Sequence, residues 1–213
     1  MSTPKPRTID TPQGPARAYV ERPAPATPVR GSVVVSHGAG GGIDAADLVA
    51  LRALVDDGWT YVRVEQPWRV AGRKVATPPK TLDAAWIPII TALRKGRWAI
   101  PGPLVTGGRS AGARVACRTA AEVGADAVLA LSFPLHVPGN PEKSRAFEAQ
   151  EVLQAGLPLC VIQGRRDPFG DPGEVRAALG TAPTIAPVTG DHSLARGADE
   201  VVAAARDWLA TIS

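Results

Sequence analysis

Aromatic residues make up only 5% of this 213-residue chain, too few for a platform of stacked rings that would bind single-stranded nucleic acid. Runs of like charge are missing as well. The 24 Lys and Arg are scattered among 20 acids, and the net charge is +4 without any block of five or six like charges. A nucleic-acid partner is therefore not expected. No apolar stretch exceeds strand length, so no membrane partner is expected either, and residues 1–10 lack the apolar core of a secretory signal. Cysteine is limited to Cys117 and Cys160, which have no metal-ligand spacing. They read as buried thiols in a chain suited to a reducing cytoplasm, with no metal or cofactor expected.

What is present is a rhythm of short β-branched runs alternating with longer helix-like segments, with no internal repeat and no dividing linker. That rhythm predicts one α/β domain over residues 1–213, with 1–6 poorly ordered. Residues 7–10 and 16–20 read as an antiparallel edge hairpin around Gly14. Strands are expected at 32–36, 60–65, 104–107, 127–132, 158–163 and 184–188. Their uninterrupted apolar character fits a mostly parallel sheet covered by helices on both faces. Helices are expected at 45–57, from Thr81 or Asp83 to 95 with a kink at Pro88, at 111–123, and at 197–212. Asp171-Pro172 reads as an N-cap with Pro at the first helical position. Residues 66–80 read as a long surface loop, and the 133–156 connection as short, polar and Pro-rich, too small for a cap domain.

One motif carries chemistry. Gly108-Arg109-Ser110-Ala111-Gly112 follows a strand and opens a helix, the context in which a strained turn lifts a serine side chain clear of the backbone. Glycines are required wherever a Cβ would collide across such a turn. An ordinary Gly-rich turn with a capping serine would share the bare pattern, so the rest of the chain must supply its partners. A serine hydroxyl needs a base, and the chain has three histidines, His37, His136 and His192. His192 lies just past the last strand and is the candidate base. A carboxylate must fix its tautomer. Asp167, in the loop after the 158–163 strand, is preferred to Asp171, which is committed to capping, and to Asp191, which is adjacent to the histidine. Oxyanion donors are expected from the backbone N–H groups of Ala111 and Ala39. The His37 to Gly42 loop could also cradle a phosphate, but no Lys-Ser/Thr follows it and dinucleotide spacing is absent.

These residues resemble a family of small α/β-hydrolases of the dienelactone-hydrolase-like kind. The branch they resemble contains testis-expressed hydrolase-like proteins and a subunit of a histone acetyltransferase complex. The resemblance rests on Ser36-His37-Gly38-Ala39-Gly40, Gly107 through Gly112, Pro134-Leu135-His136 with Pro138 through Lys143, Gln163 through Gly170, and Gly190 through Leu194. It covers most of the chain from about residue 30 onward. It implies an α/β-hydrolase fold and a triad of Ser110, Asp167 and His192, with His136 in a loop bordering the pocket. A true dienelactone hydrolase would carry Cys as nucleophile where this chain has Ser110, so a dienelactone substrate is not expected.

The expected function is hydrolysis of small acyl esters at an open, shallow site. His37, Gly38, Arg109, His136 and Phe169 are candidate pocket-lining residues, while Trp68 and Trp86 are assigned to the core. Arg109, with Arg73, Lys74, Arg165 and Arg166 in flanking loops, reads either as a set favouring an anionic small-molecule substrate or as solvated surface cations. A homodimer is compatible with these features. The alternative is a binding or scaffold protein on the same fold with a vestigial site, as the assembly subunits in the branch illustrate.

Overall fold

The computed structural model describes residues 4–97 and 99–212. Residues 4–6 have no regular structure, and residues 1–3 of the segment expected to be poorly ordered lie outside the described residues. Eight strands form one sheet: β1 (Arg7–Thr11), β2 (Gly14–Glu21), β3 (Gly31–Ser36), β4 (Trp59–Glu65), β5 (Leu104–Arg109), β6 (Ala127–Leu131), β7 (Leu159–Gly164) and β8 (Thr184–Val188). Their spatial order is β1-β2-β4-β3-β5-β6-β7-β8. The hairpin β1–β2 and the β2–β4 pair are antiparallel, and all later pairs are parallel. This is the α/β-hydrolase fold expected from the sequence, with an antiparallel N-terminal edge and no large cap. Pro187 sits in β8, an edge strand, where a missing N–H is tolerated.

The central strands are apolar throughout because alternate side chains enter two separate cores. Val34, Val128, Ala130 and Val161 face one cluster, while Val33, Val35, Leu129, Leu131, Cys160 and Ile162 face the other. The first cluster is roofed by α3 (Pro79–Leu93), α4 (Ala111–Thr119), α5 (Ala146–Gln154) and α6 (Pro172–Leu179). The second is covered by α1 (Ala46–Ala50), the 3-10 turn Leu51–Val55 and α7 (Ala198–Leu209). Cys117 and Cys160 are buried in opposite cores, so they cannot pair. Burial pushes the Cys160 thiol up to about 12.

The helices differ from expectation in particular ways. The single helix expected over 45–57 is two short pieces, tightening into a 3-10 turn before β4. The supposed loop 66–80 contains α2 (Pro67–Val70), which buries Trp68. Pro88 lies inside α3, which runs through it without a break. The 133–156 connection contains α5, whose buried face is Ala146, Glu148, Ala149 and Val152. Among the described residues, no helix is long and apolar enough to cross a membrane.

Candidate functional site

The parallel strands end together, and the loops leaving β3, β5, β7 and β8 bring Ala39, Ser110, Asp167 and His192 to one edge of the sheet. Ser110 sits between β5 and α4 with φ 53° and ψ −110°, a left-handed conformation costly to a non-glycine residue. Neighbouring packing holds it there. A Cβ on Gly108 or Gly112 would collide with the Ser36 carbonyl oxygen, so only glycine lets β5 and α4 close onto β3. Gly108 also has a φ of 152°. The turn thus lifts the Ser110 hydroxyl above the sheet edge.

His192 Nε2 lies 2.9 Å from Ser110 Oγ, and its Nδ1 lies 2.8 and 3.0 Å from the Asp167 carboxylate oxygens. A carboxylate only accepts, so Nδ1 carries the proton and Nε2 is free to accept from the serine hydroxyl. The Asp167 side chain is fully buried. It is held by donation from the Phe169 N–H at 2.9 Å and from Gln163 Nε2 at 3.0 Å. Gln163 also donates to the carbonyls of Phe133 and Gly170, tying the loops after β6 and β7 together at the carboxylate. The Phe169 ring packs against the His192 ring with centroids 4.2 Å apart.

The two alternative carboxylates are committed elsewhere. Asp171 caps α6 by accepting from Gly173 and Glu174, with Glu174 returning the bond in a capping box. Asp191 accepts from both the N–H and the hydroxyl of Ser193 and shapes the turn that carries His192.

A cavity of about 190 Å³ opens beside Ser110. Ala39, Ala111 and Phe169 line it with the apolar groups of Ala76, Pro79 and Leu82. The Ala111 N–H lies in the first turn of α4, where no intrahelical acceptor exists. Among the described residues no acceptor takes the Ala39 N–H. Both donors are therefore free beside the serine. Gly38 is packed against Ser110, where an added Cβ would stand only 3.2 Å from the serine Cβ. No three His, Cys, Asp or Glu side chains among the described residues could hold a metal ion.

Three of the expected pocket residues face elsewhere. His37 is buried, accepts from the Gln66 N–H through Nε2 at 3.1 Å and donates from Nδ1 to Gly38 O. Burial lowers its pKa, and both ring nitrogens are occupied, Nε2 linking the loop to the residue after β4 and Nδ1 bonding within the loop. His136 is buried behind Phe169, with Nδ1 on the Val137 carbonyl and Nε2 facing Glu174 at 3.4 Å. Arg109 turns away from the cavity. It donates from Nη2 to the His192 carbonyl at 2.9 Å and places Nε 3.3 Å from fully buried Asp47. Burial raises the Asp47 pKa, opposed first by the Arg109 charge and then by nearby backbone N–H groups.

The expected basic loop residues are also displaced. Arg165 borders a separate depression with Asp171 and Pro187, and Arg73 a neighbouring cavity with Trp68. Arg166 and Lys74 are exposed. The cations that do line the Ser110 cavity are Arg114, Arg118 and Arg145, none of which the sequence reading singled out. The i, i+4 spacing of Arg114 and Arg118 on a predicted helix was the one available signal.

An eight-stranded, mostly parallel sheet without a large cap, carrying a serine on a strained strand-to-helix turn, defines the α/β-hydrolase class. A family model described as an alpha/beta hydrolase domain matches residues 29–209, and the chain belongs to that family. No curated protein matches the sequence. Among solved structures, a lidless α/β serine hydrolase from Xanthomonas campestris superposes with a TM-score of 0.74 at 21% identity, covering 99% of this chain and 95% of that one. Est1E from Butyrivibrio proteoclasticus gives 0.72 at 17% identity over 98% and 100%. The esterase Est2 from Thermogutta terrifontis, in its propionate-bound form, gives 0.70 at 16% identity over 99% and 95%. At these identities the likeness is one of fold.

Proposed function

We propose that the protein is a serine hydrolase of small acyl esters, with Ser110 as nucleophile, His192 as general base and acid, and Asp167 as the carboxylate that orients the imidazole. The observation that carries this reading is the continuous hydrogen-bond chain from Ser110 Oγ through His192 to buried Asp167 at the wall of a cavity. His192 Nε2 takes the hydroxyl proton as Ser110 Oγ bonds to the ester carbonyl carbon. The oxyanion that forms is met by the N–H groups of Ala39 and Ala111. The carbonyl carbon–oxygen bond to the leaving alcohol then breaks, and the alcohol departs with the proton from His192. Water enters, gives a proton to Nε2, attacks the acyl carbon and releases the acid, returning the proton to Ser110.

The small cavity and the absence of a large cap support short acyl groups over long lipids. The narrower likeness to the dienelactone-hydrolase-like branch enters as part of this proposal, as does a cytoplasmic location. The test is turnover of short acyl esters, thioesters and lactones by the wild type and by Ser110→Ala. The reading requires hydrolysis of at least one class that Ser110→Ala abolishes while the melting temperature stays within a few degrees. Equal hydrolysis by the variant would refute the assignment, and a folded wild type inactive on all three classes would leave a binding protein on a hydrolase fold.

A further inference from the structure

One wall of the Ser110 cavity is cationic, and its charges are not all matched. Arg114 and Arg118 lie one turn apart on α4 and converge on Glu148, which is almost fully buried on α5. Arg114 makes a bidentate pair at 2.6 and 2.7 Å, and Arg118 adds a bond at 3.0 Å. Arg118 also grips Asp83 of α3 with its other nitrogens at 2.6 to 3.2 Å. These two cations are consumed in locking α3, α4 and α5 together.

Arg145, at the N-terminal boundary of α5, is different. Its one side-chain hydrogen bond runs from Nη1 to the Pro134 carbonyl at 3.3 Å, and among the described residues it pairs with no acid. Three guanidinium groups face two carboxylates on this wall, so one positive charge is left uncompensated. Burial, and then the like charge of Arg114, lower the Arg145 pKa, opposed by the charge of Glu148, which Arg114 and Arg118 already share. A half-buried cation beside another cation is stabilised by an anion in the cavity. Apart from Thr77, the remaining lining is short and apolar, with Ala76, Pro79, Leu82, Pro134 and Phe169 among it.

We propose, on the hydrolase reading above, that the substrates are short esters bearing a carboxylate, with the anion held by Arg145 while Ser110 attacks the ester carbonyl. A cavity of about 190 Å³ admits a small molecule only. Half-esters of short dicarboxylic acids are of that scale. The planar guanidinium has Nε and Nη2 left for a two-point contact with a carboxylate. Selectivity thus comes from α5, an element of the connection between β6 and β7, and not from the cations in the exposed loops.

The experiment compares kcat/KM for methyl hydrogen glutarate with that for methyl 5-oxohexanoate, its neutral match in shape, followed by pH-stat. The wild type should prefer the anionic ester roughly tenfold to hundredfold, the range for a hydrogen bond to a charged partner. Arg145→Gln should bring the ratio to about one, and Arg145→Lys should retain part of it. Calorimetry on Ser110→Ala, with and without Arg145→Gln, reads the same preference as binding without turnover. Equal kcat/KM for the two esters in the wild type, or an unchanged ratio in Arg145→Gln, would overturn the proposal. If neither ester is hydrolysed, the proposal that short carboxylate-bearing esters are the substrates is overturned, the wider screen of esters, thioesters and lactones decides the hydrolase reading, and the calorimetric comparison decides whether Arg145 recognises the anion.

Discussion

Replacing Arg109 separates two jobs that one side chain performs. Its Nε faces Asp47, whose side chain is fully buried, and its Nη2 holds the carbonyl of His192. In Arg109→Met the stem is kept in length but Asp47 is left buried without its cation. Breaking a buried pair in this way costs about 3–5 kcal/mol, and for a chain of this size each kcal/mol moves the melting temperature by roughly 2–4 °C. A fall of roughly 10 °C is expected in thermal unfolding. The sign of its pH dependence follows from Asp47, whose pKa burial raises and Arg109 opposes. Without Arg109 the pKa rises further, so the folded state binds a proton that the unfolded state releases. Stability of the variant then falls as pH increases through the window above the ordinary carboxylate value. The deficit against wild type should be larger at pH 8 than at pH 5. The double variant Arg109→Met/Asp47→Leu removes both charges and should recover most of the lost stability. It should not recover activity, because the His192 carbonyl still lacks its donor and a small displacement of the base costs roughly a hundredfold in kcat. A double variant with wild-type kcat, or a single variant whose deficit grows toward acid pH, would refute the reasoning.

Asp167→Asn should lower kcat by about ten-thousand-fold, as in the serine-protease precedent. Asp171→Ala should cost only about 1 kcal/mol as a lost cap, with turnover retained. Steady-state kinetics and thermal melts on the pair distinguish them, and near-wild-type activity in Asp167→Asn would remove that carboxylate from the mechanism. Cys117 and Cys160 are buried in opposite cores, and burial pushes the Cys160 thiol up to about 12. Ellman's reagent should therefore modify neither in the native protein and both in denaturant. Rapid native labelling would contradict the packing described.

The strand framework was legible because parallel strands covered on both faces must be apolar at every position, as in Val33-Val34-Val35 and Ala127 through Leu131. Ser110, Asp167 and His192 were likewise readable as a set, since each falls in the loop after a strand and those loops share one sheet edge. Helices were less so. α5 was hidden because Ala146, Ala149 and Val152 form a small-residue face behind a Pro- and Gly-bearing lead, and the 45–57 segment tightens into a 3-10 turn at Leu51–Val55, a change of winding that the helical spacing of its apolar residues does not signal.

The pocket was the least legible part, since its contacts are tertiary. His37 and His136 stand in glycine- and proline-rich loops that suggest a site, yet their acceptors and donors are Gly38, Gln66 and Val137. The sequence placed the cations in exposed loops. The structure instead places Arg114, Arg118 and Arg145 at the cavity, because α3, α4 and α5 converge around Glu148 and Asp83.

The central claim is that Ser110 is an activated nucleophile, and a fluorophosphonate reads that directly without knowledge of the natural substrate. Intact-mass measurement of the treated protein should show one adduct per chain, mapped to Ser110 by peptide sequencing and absent from Ser110→Ala and from heat-denatured wild type. An unmodified mass for the folded wild type, or an adduct on any other residue, would contradict the account.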